Sequence, residues 1–208
     1  MAMSGRRTAG PRLEATDLAR VAVFAGMTAV LGLPGGFSAF GGVPVTAQTL
    51  GVMLAGAILG PWLGALSMTT LVVLVAAGMP LLAGGRGGAG VLLGPTGGYV
   101  LGWIVGAFVI GALVHAGGRR PVWWRTFLGT VVGGILVVYA VGMPVQSAVT
   151  RLPLEETVLV GLALLPGDLV KAVVATLVVN TLVRAYPRAF RRQWRSGRGP
   201  AAEPAAAR

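Results

Sequence analysis

Asp168 and Lys171 are the residues best placed to do chemistry. They stand three apart in PGDLVKA (residues 166–172), within a run that is otherwise apolar. On a helix that spacing puts both on one face. A lysine inside a membrane helix costs roughly 2.5–3.5 kcal/mol on insertion scales, so such a residue is normally paired and functional. Together the two side chains present an acceptor beside a donor. That combination suits a neutral ligand group bearing both N–H and C=O. The competing reading is a self-satisfied ion pair. Pro166 and Gly167 are expected to break the preceding segment, which would set Asp168 at a helix N-cap.

Two further stretches hold groups that could line a site. AGGRGGAGVLLGPTGGY (83–99) has five glycines among residues 84–90, which allow unusual backbone angles and close approach to a ligand. Arg86 is its isolated cation, and Tyr99 adds a ring with a polar tip. The run lacks the GxxxxGK[ST] pattern and follows an apolar segment, so it reads as a flexible lid rather than a phosphate cradle. PGGFSAFGGVPVTAQTLG (34–51) carries Phe37 and Phe40 among glycines, then Thr46, Gln48 and Thr49 at the head of the next helix. Those hydroxyls either cap the helix or face a site. Tyr139 and Gln146 are candidate cavity liners. Asn180 reads as an interhelical hydrogen bond, and His115, the only histidine, as a membrane-interface residue.

Elements must hold these groups in place, and composition limits which elements they are. Of 208 residues, 55% are apolar and 11% charged. Mean hydropathy is +0.80. Soluble domains carry about 25% charged residues, so the chain reads as a polytopic membrane protein. An all-α fold with six transmembrane helices is expected, near 17–33, 47–60, 63–83, 97–115, 126–146 and 167–184. Residues 155–165 are too short to span and read as a half-helix. Residues 1–16 are expected to form an N-terminal tail without a signal peptide's apolar region. Residues 17–186 then form the membrane domain, and 187–208 a basic, disordered C-terminal tail.

Net charge is +11, yet the pattern argues against nucleic acid. All cations but Arg86, Arg151 and Lys171 lie in the two terminal regions or at Arg119, Arg120 and Arg125. That is the positive-inside pattern, with contact to anionic membrane lipid. It sets both termini and the loop 116–125 on the cytoplasmic side of a prokaryotic cell membrane. The loops 34–46, 84–96 and 147–156 then face outward. Small residues recur every four positions: Gly56, Gly60 and Gly64; Gly98, Gly102 and Gly106; Gly129 and Gly133. Such spacing lets helix backbones approach closely in lipid. The first helix offers Ala22 with Gly26 and Ala25 with Ala29.

Catalytic patterns are scarce. The absence of cysteine excludes disulfides and thiolate sites. GxSxG, HExxH and ATPase motifs are absent. No metal or cofactor is expected. An intramembrane enzyme acting on lipid or isoprenoid substrates would need carboxylate pairs or His/Ser constellations that are lacking. An ion-coupled carrier or channel using Asp168 and Lys171 as a relay is a second alternative, without the inverted repeat such carriers show.

VTAQTLGVMLAGAILGPWLGALS, GMPLLAGGRGGAGVLLGPTGGYVLGW and PGDLVKA closely resemble the BioY family, the biotin-binding S components of energy-coupling-factor (ECF) vitamin transporters. The resemblance covers roughly residues 20–184. It is poorest at VVYAVGMPVQS, where Val145 and Gln146 follow Pro144 in place of an expected tryptophan. The resemblance implies a six-helix protein binding biotin in an outward cavity closed by the loops after the first and third helices. Asp168 and Lys171 would hold the ureido ring. Arg86 would meet the valerate carboxylate or lock the lid, and Tyr99 and Gln48 would form the wall. Ala22, Ala25, Gly26 and Ala29 would contact the transmembrane T subunit, which associates with two cytoplasmic ATPases. A sister S component for another small vitamin is the nearest alternative.

Overall fold

The computed structural model describes residues 13–38, 44–116 and 121–186. The chain runs through α1 (Ala15–Val30), β1 (Phe37–Ser38), β2 (Pro44–Val45), α2 (Gln48–Leu59), α3 (Pro61–Ala76), α4 (Ala89–Leu92), α5 (Gly97–Val114), α6 (Trp123–Val131), a π-helical turn (Val132–Val137), α7 (Val138–Thr150) and α8 (Leu154–Ala185). α6, the π turn and α7 form one rod. Counting it once and setting aside the four-residue α4, six helices form the bundle among the described residues. This is the expected all-α membrane architecture. β1 and β2 add only a two-residue antiparallel pair in the loop after α1. Residues 1–12 and 187–208 of the expected tails, Phe40, Arg119 and Arg120 lie outside the described residues, while Ala15 and Thr16, expected in the N-terminal tail, already open α1.

The α5, α6–α7 and α8 rods, of 18, 28 and 32 residues, are long and apolar enough to cross a membrane. α2 and α3 are shorter, and Gly60 (φ 82°) turns one directly into the other, with Pro61 opening α3. Pro suits that place because the first turn has no backbone partner for its missing N–H. Large apolar side chains such as Val23, Trp62, Leu159, Val170 and Leu177 are more than 60% exposed. A soluble protein would hide them; here they form the face turned to lipid, and the chain is a multi-pass membrane protein.

α5 is the hub, packed against α2, α3, α6 and α7. Its glycines explain how. A Cβ on Gly106 would sit 2.6 Å from the Gly133 carbonyl oxygen, and one on Gly111 would sit 2.3 Å from the Pro61 nitrogen. Without side chains the backbones touch. Gly133 meets α5 at Gly106, and Val138, five residues on, meets it at Gly102. A regular helix would return to the same face after about four residues. The π turn between them absorbs the extra one and resets the phase of α7.

Four expectations need correction. α8 is continuous from Leu154 through Pro166 and Gly167, so residues 155–165 belong to the last spanning helix and Asp168 sits in its interior rather than at an N-cap. In lipid, neighbouring helices and polar side chains re-satisfy backbone groups freed by proline, so the helix survives it. The third segment ends at Ala76, well short of residue 83. His115 points inward: its Nε2 lies 2.9 Å from the Ala57 carbonyl oxygen. Asn180 donates to the carbonyl of Thr176 one turn back in its own helix, not to a neighbour.

Candidate functional site

Asp168 projects from the middle of α8 and is 5% exposed. Lys171, one turn on, donates from Nζ to Asp168 Oδ1 at 2.8 Å. Burying this pair among apolar helices is costly unless its remaining bonding capacity is used. Two other helices supply what is needed. Thr49, on the first turn of α2, donates to Asp168 Oδ1 (3.2 Å) and accepts from Lys171 Nζ (3.0 Å). Tyr139, on α7 just beyond the π turn, donates to Asp168 Oδ2 at 2.6 Å. Its ring meets Tyr99 of α5 edge-on, with centroids 6.2 Å apart. The Tyr99 hydroxyl in turn donates to Oε1 of the buried Gln146 at 2.7 Å. A polar chain thus links α8, α2, α7 and α5 through groups that touch one another.

This chain lines a cavity of about 590 Å³ of empty space, its mouth open to solvent included. Asp168, Lys171, Arg86, Tyr99 and Gln48 all line it. Sequence reasoning singled out those five, and they meet at one place. Trp103, Val138 and Leu164 give the remaining wall an apolar character. The cavity lies where α2 and α5 begin, so Thr46, Leu82, Arg86 and Thr96, in the segments leading into those helices, form its rim.

The rim is built rather than slack. Leu82 and Arg86 exchange two backbone hydrogen bonds (3.0 and 3.2 Å) around Gly84 and Gly85, both in the left-handed region (φ 74° and 71°). Only glycine takes up such a turn without strain. Arg86 Nε donates back to the Ala83 carbonyl at 3.2 Å, and the residue lines the cavity.

Gln48 has a different part from the plain wall expected of it. It is 1% exposed, and its amide is fully engaged. Nε2 donates to the carbonyls of Thr28 in α1 (3.2 Å) and Leu81 in the rim (3.0 Å), while Oε1 accepts from the Ala83 N–H (3.1 Å). It is the strut that fixes the rim to the first helix. Of the small residues on α1, Ala22 and Gly26 are exposed, whereas Ala25 is buried in the core and Ala29 packs against it. The four therefore do not share one accessible face.

Thr49 and Tyr139 are the site residues that sequence reasoning placed least well. Thr49 read equally as a cap, and Tyr139 as a minor liner. Their link to Asp168 spans 119 and 29 residues, and no local pattern encodes it. The one usable signal was the presence of hydroxyls in apolar helices, each of which needs a partner. Among the described residues no cluster of three metal-ligating side chains occurs.

Comparison with known proteins identifies the family. A biotin transporter of Rhodobacter capsulatus is 42% identical over 183 residues, covering 82% of this chain and 94% of the relative. A probable biotin transporter of Bacillus subtilis is 40% identical, covering 83% and 93%. A crystal structure of the S component for biotin from an ECF-type ABC transporter superposes with a TM-score of 0.76 at 30% identity, over 83% of this chain and 95% of that one. The family model described as the BioY family matches residues 4–188, and the chain belongs to that family.

Proposed function

We propose that this chain is the biotin-capturing subunit of an ECF-type vitamin transporter, a carrier component and not an enzyme. The observation that carries the reading is the ion pair of buried Asp168 with half-buried Lys171, lining a cavity that also has an apolar wall of Trp103, Val138 and Leu164. A cyclic urea has N–H groups for the carboxylate and a carbonyl for the ammonium. Buried charge-assisted bonds of this kind are roughly twice as strong as neutral ones. The fused ring system fits against Trp103, Val138 and Leu164. Arg86, with free guanidinium nitrogens at the rim, takes the carboxylate at the end of the ligand's aliphatic arm. Tyr99 forms a wall and holds Tyr139, and Gln48 keeps the rim in register.

The partners follow from the chemistry the chain lacks. It has no nucleotide-hydrolysing motif, so uphill uptake draws on a T subunit and two cytoplasmic ATPases. Ala22 and Gly26, small and exposed on α1, form the contact that lets another helix approach closely. The positive-inside pattern of the basic ends supports a topology with both termini in the cytoplasm of a prokaryotic cell and the cavity on the outer side of its membrane.

The test is titration of the purified chain with labelled biotin, with mass spectrometry of any ligand that co-purifies. Saturable binding that Asp168→Ala and Lys171→Ala each weaken by about 100-fold is expected. Variants that bind as tightly as the unaltered chain would sink the assignment of the site.

A further inference from the structure

The Thr49 hydroxyl makes two bonds of the kind a urea edge would make. It accepts from Lys171 Nζ at 3.0 Å, as a carbonyl oxygen does, and donates to Asp168 Oδ1 at 3.2 Å, as an N–H does. We infer that Thr49 is a built-in surrogate for the cargo: its hydroxyl satisfies the buried ion pair and is exchanged for the urea edge when cargo binds. The inference rests on the reading of the cargo as a cyclic urea.

Three observations support exchange over simple addition. The Thr49 contacts are the longest in the cluster, against 2.8 Å for the ion pair and 2.6 Å for Tyr139 to Oδ2. The weakest member yields first. Tyr139 is held by its edge-on packing with Tyr99, which is itself fixed to Gln146, so the Oδ2 side of the carboxylate is anchored. The Oδ1 side is held by a hydroxyl that one rotation about its own χ1 withdraws from both partners together. Oδ1 already accepts from Lys171 and from Thr49, which fills its two lone pairs. An N–H aimed at that oxygen must displace one of them, and losing the lysine would leave a buried charge unpaired.

Exchange has a consequence that ordinary ligation lacks. A residue that ligates cargo weakens binding when it is removed. A residue that competes with cargo strengthens binding when it is removed, because the cargo no longer has to break its bonds. Thr49→Val keeps the shape and deletes the hydroxyl; Thr49→Ser keeps the hydroxyl. With the full-length chain in detergent and biotin as the probe, T49V is expected to bind about five- to tenfold more tightly than the unaltered chain, the equivalent of one modest hydrogen bond, and T49S to match it. Should T49V give no monodisperse protein, Thr49→Ala is read in the same way. Unchanged or weaker binding by T49V, beside intact binding by the unaltered chain, overturns the exchange and leaves the cargo assignment standing. Absence of saturable biotin binding by the unaltered chain overturns both.

Discussion

The two ends of the bundle solve the same packing problem in opposite ways. Toward the α2–α3 turn, glycine removes the side chains, so α5 lies directly on its neighbours at Gly106 and Gly111. Toward the rim, α5 still lies on α7 at Gly98, but around the cavity large and polar side chains take over. Tyr99, Trp103, Tyr139 and Gln48 hold the helices apart, and the hydrogen bonds of Tyr99 to Gln146, of Tyr139 to Asp168 and of Gln48 to Thr28 tie neighbouring helices together. Close backbone packing leaves no room for a ligand. Propping the helices on large side chains creates room, and the polar groups among them supply what can recognise a ligand. In a membrane the hydrophobic effect favours neither solution, so packing and hydrogen bonding decide the outcome locally.

Substitutions at each end sharpen this contrast. The largest effect is expected at the close-packed end. Gly111→Ala would press a methyl group onto the Pro61 and Gly60 backbone at 2.3–2.6 Å, where nothing flexible can give way. Overpacking of this kind costs about 1–3 kcal/mol or more, and a sharp loss of monodisperse protein in size-exclusion chromatography is expected. At the rim end, Asp168→Ala should leave the fold intact but weaken biotin binding about 100-fold, near 2.8 kcal/mol, by calorimetric titration. If the variant unfolds instead, the polar end is structural in the same sense as the glycine end, and the contrast fails.

Gln48→Leu comes next. It would strand the Ala83 N–H and two carbonyls, at about 1–3 kcal/mol for each buried group left unpaired. Faster biotin release, by about tenfold in a chase experiment, is expected with little change in the association rate. Tyr99→Phe keeps the ring and loses one buried bond to Gln146. A two- to threefold loss of affinity is expected, within the range of about 1 kcal/mol for such a bond. The smallest effect belongs to Gly26→Ala, where an added methyl would meet nothing within 4 Å. Stability should stay within about 0.5 kcal/mol and biotin binding should not change. Under the proposed assembly, a change in co-purification with the T subunit would then report the contact face of α1 alone.

Much of the architecture was legible because lipid enforces simple rules. Apolar runs near 20 residues gave the spanning elements, and Asp168 with Lys171 stood out because charge in such a run is rare. What failed was punctuation. Pro166 and Gly167 signal a break by the rules of soluble helices, yet α8 passes through them, as α7 passes through Pro144. The π turn was equally hidden: adjacent Gly133 and Gly134 tolerate it, but the phase shift it introduces shows only against α5. Gln48 was located correctly and its role misjudged, since the three bonds it makes reach residues 28, 81 and 83. Long-range partnerships of that kind depend on how helices meet.

The convergence of those three bonds on one amide has a kinetic corollary. Bonds that share a side chain do not break one at a time; when Gln48 lets go, the Leu81–Ala83 segment is released in a single event. The backbone proton of Ala83, buried and held by Gln48 Oε1, is then a clock for mouth opening. Its deuterium uptake counts excursions of the rim directly, with no cargo or partner subunit required.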